Sequence, residues 1–162
     1  VYFHSLLNAE FLGRVKLFSM NLEFKRFGEL HQKELLEVYK LRSDVFVVEQ
    51  KCVYLDPDQT DIDSIHVSGK TKGDLAAYAR IYIDQTAHIG RVIVDENHRG
   101  KGLAKQLMLE CISWIKDNTQ FKEIEISGQV YLSRFYQSIG FSVEGAMYLE
   151  DGIPHLKMVY QL

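Results

Sequence analysis

Hydrophobic and polar positions follow two different periods along this chain, and the switches between them predict its elements. Residues 22–27 alternate weakly and predict a first strand. Over 29–43 the spacing lengthens, and Leu35, Val38, Tyr39 and Arg42 recur at the intervals of one helical face. An arginine on that face needs a partner if it is buried, with Glu49 and Asp44 the nearby candidates; at a rim its head would be solvated instead. An apolar run, 45–54, gives way to an acidic, Pro-containing loop at 56–63. Residues 65–69 and 75–83 read as strands joined by a hairpin turn over 70–74. In the second strand Leu75, Ala77, Ala79 and Ile81 share one face, predicted to be core. Ala76, Tyr78, Arg80 and Tyr82 share the other, which places an arginine between two tyrosines as a candidate cleft lining.

Residues 88–95 are β-branched and apolar enough for a buried central strand. The strongest helix is predicted over 102–115, with Leu103, Ala104, Leu107, Met108, Cys111, Ile112 and Ile115 forming a broad stripe. A strand over 122–128 and a helix over 131–139 follow, the helix carrying Leu132, Phe135, Tyr136 and Ile139 on one face and closed by Gly140. Residues 141–149 and 156–160 complete the pattern as an antiparallel pair. The expected architecture is a mixed α/β domain built on one sheet.

The 162 residues suffice for one domain rather than two. Residues 1–19 are apolar and aromatic but interrupted by Glu10, Arg14 and Lys16, which makes them a poor signal peptide and too broken for a membrane span. They are expected to be an extension outside a domain spanning 20–162; the sharper alternative is an extra helix that covers a partner surface. A net charge of −3 gives no sign of a nucleic-acid partner. The two cysteines, Cys52 and Cys111, have neither disulfide nor zinc spacing, so the expected compartment is a reducing cytoplasm and no metal is expected. Cys111 falls on the helix stripe and is not expected to react.

The chemistry concentrates where the central strand meets the strongest helix. Residues 95–102 form a short, basic, glycine-bearing turn, and no Ser, Thr, Asp or Asn caps the helix that leaves it. The first helical amides are therefore open to an anion. The turn is neither a GxxxxGK[ST] loop nor a GxGxxG loop. Glycines at 100 and 102 let the backbone approach a diphosphate, and Arg99 and Lys101 add charge.

Here the sequence resembles a known family. Arg99-Gly100-Lys101-Gly102-Leu103-Ala104 fits R-x-x-G-x-[GA], the acyl-CoA signature of the GCN5-related N-acetyltransferases (GNAT). Val92-Ile93-Val94 before it, and residues 135–141 after it, which are similar to the family's F-Y-x-x-x-G-F element, occur in the family's order. Residues 41–50, 77–80 and 150–155 resemble the ElaA-type branch, and the likeness covers about residues 22–160. The resemblance implies a mostly antiparallel, splayed sheet with helices on both faces. Strands four and five would part to admit the pantetheine arm of acetyl-CoA.

It also implies roles. Backbone groups of Val92, Ile93 and Val94 would pair with pantetheine, residues 99–104 would hold the diphosphate, and Gln129 stands where the family places an Asn-like pantetheine contact. Tyr136 matches the family's general acid at the CoA sulfur; the alternative is a packing aromatic. The base has several candidates. His66 and Glu49 are the first, and His155, after the Asp-Gly-Ile-Pro turn, or a water chain remain open. Phe46, Arg80, Arg91 and His155 are expected on the acceptor wall. The two arginines there suit an anionic substrate group unless Glu49 or Asp44 neutralises them. The implied activity is acetyl transfer to a primary amine of a small molecule or peptide, by a monomer or homodimer acting without nucleic acid or membrane. An acylhomoserine-lactone-synthase-like acyltransferase and a non-catalytic acyl-CoA-binding module are the rivals.

Overall fold

A computed structural model describes residues 20–162, and the expectations for residues 1–19 lie outside them. Its elements run β1 (Asn21–Arg26), α1 (Gln32–Arg42), β2 (Ile65–Thr71), β3 (Asp74–Ile83), β4 (Ala87–Val94), α2 (Leu103–Asn118), β5 (Glu123–Gln129), α3 (Ser133–Ser138), β6 (Ser142–Glu150) and β7 (Ile153–Gln161). The seven strands form one sheet in the order β1-β2-β3-β4-β5-β7-β6. Every neighbouring pair is antiparallel except β4 with β5, which run parallel. That parallel contact is brief: only Ala87 with Ile124 and His88 with Glu125 are paired. Beyond them the two strands part, giving the splay expected from the sequence.

Two apolar clusters hold helices to opposite faces. The larger packs α2 residues such as Leu107, Met108, Cys111 and Ile115 against Ala77, Ala79 and Ile81 of β3 and Ile124 and Ile126 of β5. Tyr136 and Ile139 of the α3 region join it. The smaller packs Val38, Leu41 and Val45 on Tyr78 and Ile93. Helix α1 begins three residues later than its pattern predicts, because 27–29 form a separate 3-10 turn and the Glu34 carboxylate accepts from the His31 amide. Past Arg42 the chain continues as a π-helical stretch, Ser43–Glu49, rather than as the open apolar run of the sequence reading. It carries Phe46, Glu49 and Gln50 to the sheet's opening.

Two bulges interrupt the ladders of β3, and the first corrects the simple alternation expected of it. Gly69 pairs with Ala77 and Lys70 with Leu75, so Ala76 is the extra residue. Leu75 consequently leaves the face of Ala77 and packs beside the Tyr78 cluster, while Ala76 joins the α2 side. The second bulge lies on β4. Tyr78 pairs with Ile93 and Arg80 with Gly90, leaving Arg91 and Val92 opposite Ala79 alone. Arg91 takes a left-handed backbone there, φ +52, which a non-glycine residue adopts at a cost of about 1–3 kcal/mol unless its surroundings hold it.

What holds it is a closed ring of alternating charges. Arg42 Nε meets Asp56 at 2.7 Å, and Asp56 meets Arg91 at 2.8 Å. Arg91 reaches Asp58 at 3.3 Å, Asp58 reaches Arg80 at 2.6 Å, and Asp61 closes the ring to Arg80 and Arg42, each at 2.7 Å. The partners of Arg42 are thus not Glu49 or Asp44 but Asp56 and Asp61 of the 56–63 loop, which the ring staples to α1, β3 and β4. Arg42 and Asp61 are almost wholly inaccessible, at 0% and 1%. Burial works against charge on both. The hydrogen bonds that Arg42 donates to Asp61 and Asp56 nonetheless raise its pKa, and those that Asp61 accepts from Arg42 and Arg80 bring Asp61 below the usual carboxylate range. Tyr39 and Tyr78 rings flank the Arg42 guanidinium at 5.2 and 5.8 Å.

Removing Arg42 leaves two buried carboxylates, Asp56 and Asp61, each short of a partner. Arg42→Met should therefore cost about 3–5 kcal/mol in denaturant unfolding, far more than a surface ion pair. Asp61, and Asp58 likewise, have native pKa values below their unfolded values near 3.8, so the unfolded chain takes up protons first. The ring's contribution should be complete above about pH 4 and fade as pH falls further. Unfolding midpoints followed from pH 6 to pH 2 measure both effects.

Candidate active site

Where β4 and β5 part, a cleft of about 810 Å³ opens between the two halves of the sheet. One end is the turn that leads from β4 into α2. Gly102 caps α2 in a left-handed conformation, φ +78, with no side-chain cap and no acidic residue in the first helical turn. Gly100 is also left-handed, φ +72. A Cβ at either position would meet nothing within 4 Å, so these glycines are required by backbone sign rather than by crowding. The space above the turn is open to a ligand, and the first turn of α2 carries no acidic side chain of its own to compete for its amides. Those features fit a diphosphate.

Val92, Ile93 and Val94 line the cleft, as do Arg99, Gly100, Gly102, Leu103 and Ala104. Lys101 does not; its Nζ donates to the Asn97 carbonyl at 2.7 Å and its side chain borders a smaller hollow. Arg99 is held at three points. Nε donates to the Val94 carbonyl, and the two terminal nitrogens grip the Glu49 carboxylate at 2.8 and 2.7 Å. The Arg99 hydrogen bonds hold Glu49 below the usual carboxylate range. A carboxylate so engaged is a poor proton acceptor, and it sits on the glycine-turn side of the cleft.

Tyr136 stands on the other lip. Its ring lies against the backbone of Gly128, where a Cβ would come within 3.2 Å of two ring carbons, and Phe135 and Phe141 meet it edge-on. Burial pushes its hydroxyl up to about 12, so it keeps its proton at neutral pH. That hydroxyl has no hydrogen-bond partner among the described residues. Gln129 also faces the cleft and donates to Gln50 of the opposite wall at 3.1 Å.

Phe46, Arg80, Arg91 and His155 all line the cleft, so the structure brings the expected acceptor wall together. Its electrostatics differ from expectation. Arg80 and Arg91 belong to the charge ring and are neutralised by Asp56, Asp58 and Asp61, not by Glu49 or Asp44. The Arg91 guanidinium lies between the Phe46 and Tyr54 rings, each 5.9 Å away. Arg80 Nε is enclosed without a hydrogen-bond partner among the described residues.

His66 is not brought to the cleft. It is wholly buried, its Nδ1 lies 2.7 Å from the Tyr78 hydroxyl, and its Nε2 lies 2.9 Å from the Asp61 carbonyl. Both nitrogens are spent on structure, and burial lowers its pKa. Ser127 and Glu150 line the cleft without having been singled out as site residues in the sequence, as does Tyr82, which was expected on the cleft-facing side of β3. Tyr82 was at least placed on the correct strand face by alternation. Ser127 and Glu150 become neighbours only because β5 and β6 both flank β7. Among the described residues no cluster of His, Cys, Asp and Glu is arranged to hold a metal ion, and no helix is long and apolar enough to cross a membrane.

Residues 56–162 match the model of the acetyltransferase (GNAT) domain. A UPF0039 protein of Schizosaccharomyces pombe is 43% identical over 148 residues, covering 88% of this chain and 99% of that protein. Protein ElaA of Escherichia coli is 39% identical over 141 residues, 83% of this chain and 92% of ElaA. The ElaA crystal structure superposes with a TM-score of 0.83, covering 88% of this chain and all of that one. An acyl-CoA N-acyltransferase from Pseudomonas aeruginosa, 34% identical, gives 0.82 over 88% of this chain and 99% of that one. With its splayed seven-stranded sheet and its uncapped glycine turn, this chain is an acyltransferase that belongs to the GNAT family, in the branch that includes ElaA.

Proposed function

We propose that the chain moves an acetyl group from acetyl-CoA to a primary amine of a small molecule or peptide by direct attack. The observation that carries this reading is the parting of β4 and β5 between the glycine turn and Tyr136. It leaves room for an extended pantetheine arm with a phosphate-binding turn at one end and a protonated hydroxyl near the other. Ile93 and Val94 would offer backbone groups to the arm. The β4 bulge interrupts the ladder beside them, which favours an amide there as donor to the thioester carbonyl as it becomes an oxyanion. The amine attacks the carbonyl carbon, a C–N bond forms, the C–S bond breaks, and Tyr136 gives its proton to the departing sulfur. Phe46, Arg80 and Arg91 shape the acceptor side, the arginines as rigid wall rather than as free cations.

On this reading Glu49 serves the CoA side. It holds Arg99 until a diphosphate competes for the guanidinium. Glu49→Gln should therefore tighten acetyl-CoA binding about two- to fivefold, the scale of an exposed ion pair, while kcat hardly moves. A drop of a hundredfold in kcat would make Glu49 the base instead.

Gly102→Glu should abolish acetyl-CoA binding in calorimetry while circular dichroism still reports a folded domain. It puts a side chain and a negative charge at the start of α2, on a left-handed backbone. Unchanged affinity in a folded variant rejects the turn as the diphosphate site.

Tyr136→Phe keeps the ring against Gly128 and removes only the hydroxyl. Its kcat should fall by about ten- to a hundredfold, with acetyl-CoA affinity and melting temperature nearly constant. Full kcat in the variant reduces Tyr136 to a packing residue.

A further inference from the structure

The proposed reaction still needs a group to take the proton of the acceptor amine, and the cleft wall contains one with its tautomer fixed. His155 stands near the start of β7, paired with Gln129 of β5 on one side and Tyr148 of β6 on the other. It is only 7% exposed, yet it lines the cleft. Its Nδ1 lies 2.8 Å from the Ile153 carbonyl oxygen. A carbonyl can only accept, so Nδ1 carries the hydrogen and the lone pair of the neutral ring sits on Nε2. Nε2 has no partner among the described residues and is not among the enclosed unpaired atoms, so it opens to the cleft. Tyr148 stacks on the ring, centroids 6.2 Å apart, and fixes its plane.

Beside His155 is a carboxylate with no cation. Ser127 Oγ donates to Glu150 Oε2 at 2.6 Å and lies 2.5 Å from the Tyr148 hydroxyl, which ties Glu150 to the same corner. Glu150 lines the cleft and makes no ion pair among the described residues. The cations nearby are already matched. Arg80 and Arg91 are in the charge ring, Arg99 holds Glu49, and Lys157 bridges Glu125 and Glu144. The uncompensated charge at this end is therefore negative. Burial raises the Tyr82 hydroxyl, and the Asp84, Glu150 and Glu125 carboxylates push it the same way.

We propose that this corner is an ammonium subsite, in which Glu150 receives the acceptor as a protonated primary amine and His155 Nε2 removes its proton. The proposal rests on the amine-acetylation reading above and names its acceptor class: a cationic amine, better still one with a second ammonium, rather than an amine carrying a carboxylate or phosphate. The balance is R–NH3+ plus acetyl-CoA giving R–NH–CO–CH3, CoA–SH and one proton. His155 takes the first proton from nitrogen and passes it to water. The second, acidic once nitrogen is bonded to the carbonyl carbon, replaces the one Tyr136 gives to sulfur. The groups the strands bring around His155 are Tyr148 on β6 and Gln129 on β5, with Glu150 and Asp151 leading into the turn before it.

The first test needs no acceptor. Imidazole nitrogen NMR on the full chain, assigned with His155→Gln, should find neutral His155 in its Nδ1–H form; an Nε2–H form overturns the proposal. The second follows CoA thiol release with 1,4-diaminobutane as the probe from pH 6 to pH 10. His155→Gln should lower kcat ten- to a thousandfold at pH 7, and the deficit should shrink toward about pH 10, where the alkylamine supplies its own free base. Glu150→Gln should raise the diaminobutane KM about tenfold and leave the acetyl-CoA KM alone, and 4-aminobutyrate should be the poorer acceptor for the wild-type chain. A His155→Gln deficit of equal size at every pH marks a structural role and sinks the base assignment. A wild-type chain that binds acetyl-CoA in calorimetry but does not acetylate diaminobutane sinks the ammonium subsite. Failure to bind acetyl-CoA at all sinks the acetyl-transfer reading instead, and the NMR result then judges His155 alone.

Discussion

Three arginines and three aspartates, closed into a ring in which Arg42, Asp56, Asp61 and Arg80 are shut off from water, decide the shape of one wall of this protein. Each charge is costly to bury alone, and each is neutralised by two of opposite sign. The geometry is therefore stiff, because any displacement leaves a charge without a partner in a poorly solvated place. The 56–63 loop has no strand to pair with and only one short 3-10 turn, yet the ring anchors it to α1, β3 and β4. The same ring holds Arg91 in its left-handed backbone and so sustains the β4 bulge beside the cleft. Net charge over the six members is zero, so the wall is rigid without presenting free cations.

The other constraint is the short contact between β4 and β5. Two paired residues suffice to register the halves of the sheet, and the larger apolar cluster spans both sides of the gap so that they do not separate. What the lost ladder leaves behind is unpaired backbone along an open seam. Unpaired backbone groups away from water are unfavourable, so a seam of this kind suits a ligand that brings amide groups of its own. Pantetheine is such a ligand, which links the departure from regular pairing directly to the family's cosubstrate.

On the proposed reading the two lips of the cleft divide the proton chemistry. Tyr136 belongs to the α2 and α3 side, where burial keeps its proton in place. His155 belongs to the register of β5, β7 and β6, where a backbone carbonyl fixes which nitrogen is free. Each group reaches the same opening from a different packing environment. An acid and a base held apart in this way do not neutralise one another.

The sequence by itself determined the elements and the glycine turn at one end of the cleft, because those depend on local rules. Side-chain period fixes a strand or helix, and a positive φ fixes glycine at 100 and 102, so both are visible in adjacent residues. The place of Tyr136 beside the cleft was legible for the same reason, being carried by a short motif on one helix. The bulge at Ala76 was not, since a single extra residue in a ladder leaves no mark in composition. The partners of Arg42, Arg80 and Arg91 were misjudged because proximity in sequence pointed to Glu49 and Asp44, whereas the ring spans 14 to 35 residues of separation. The acidic loop and the three arginines were both apparent; their match was not. His66 and His155 show the limit most plainly. Both follow a turn and begin a strand, but only tertiary packing decided that one spends both nitrogens in the core while the other keeps a lone pair for the cleft.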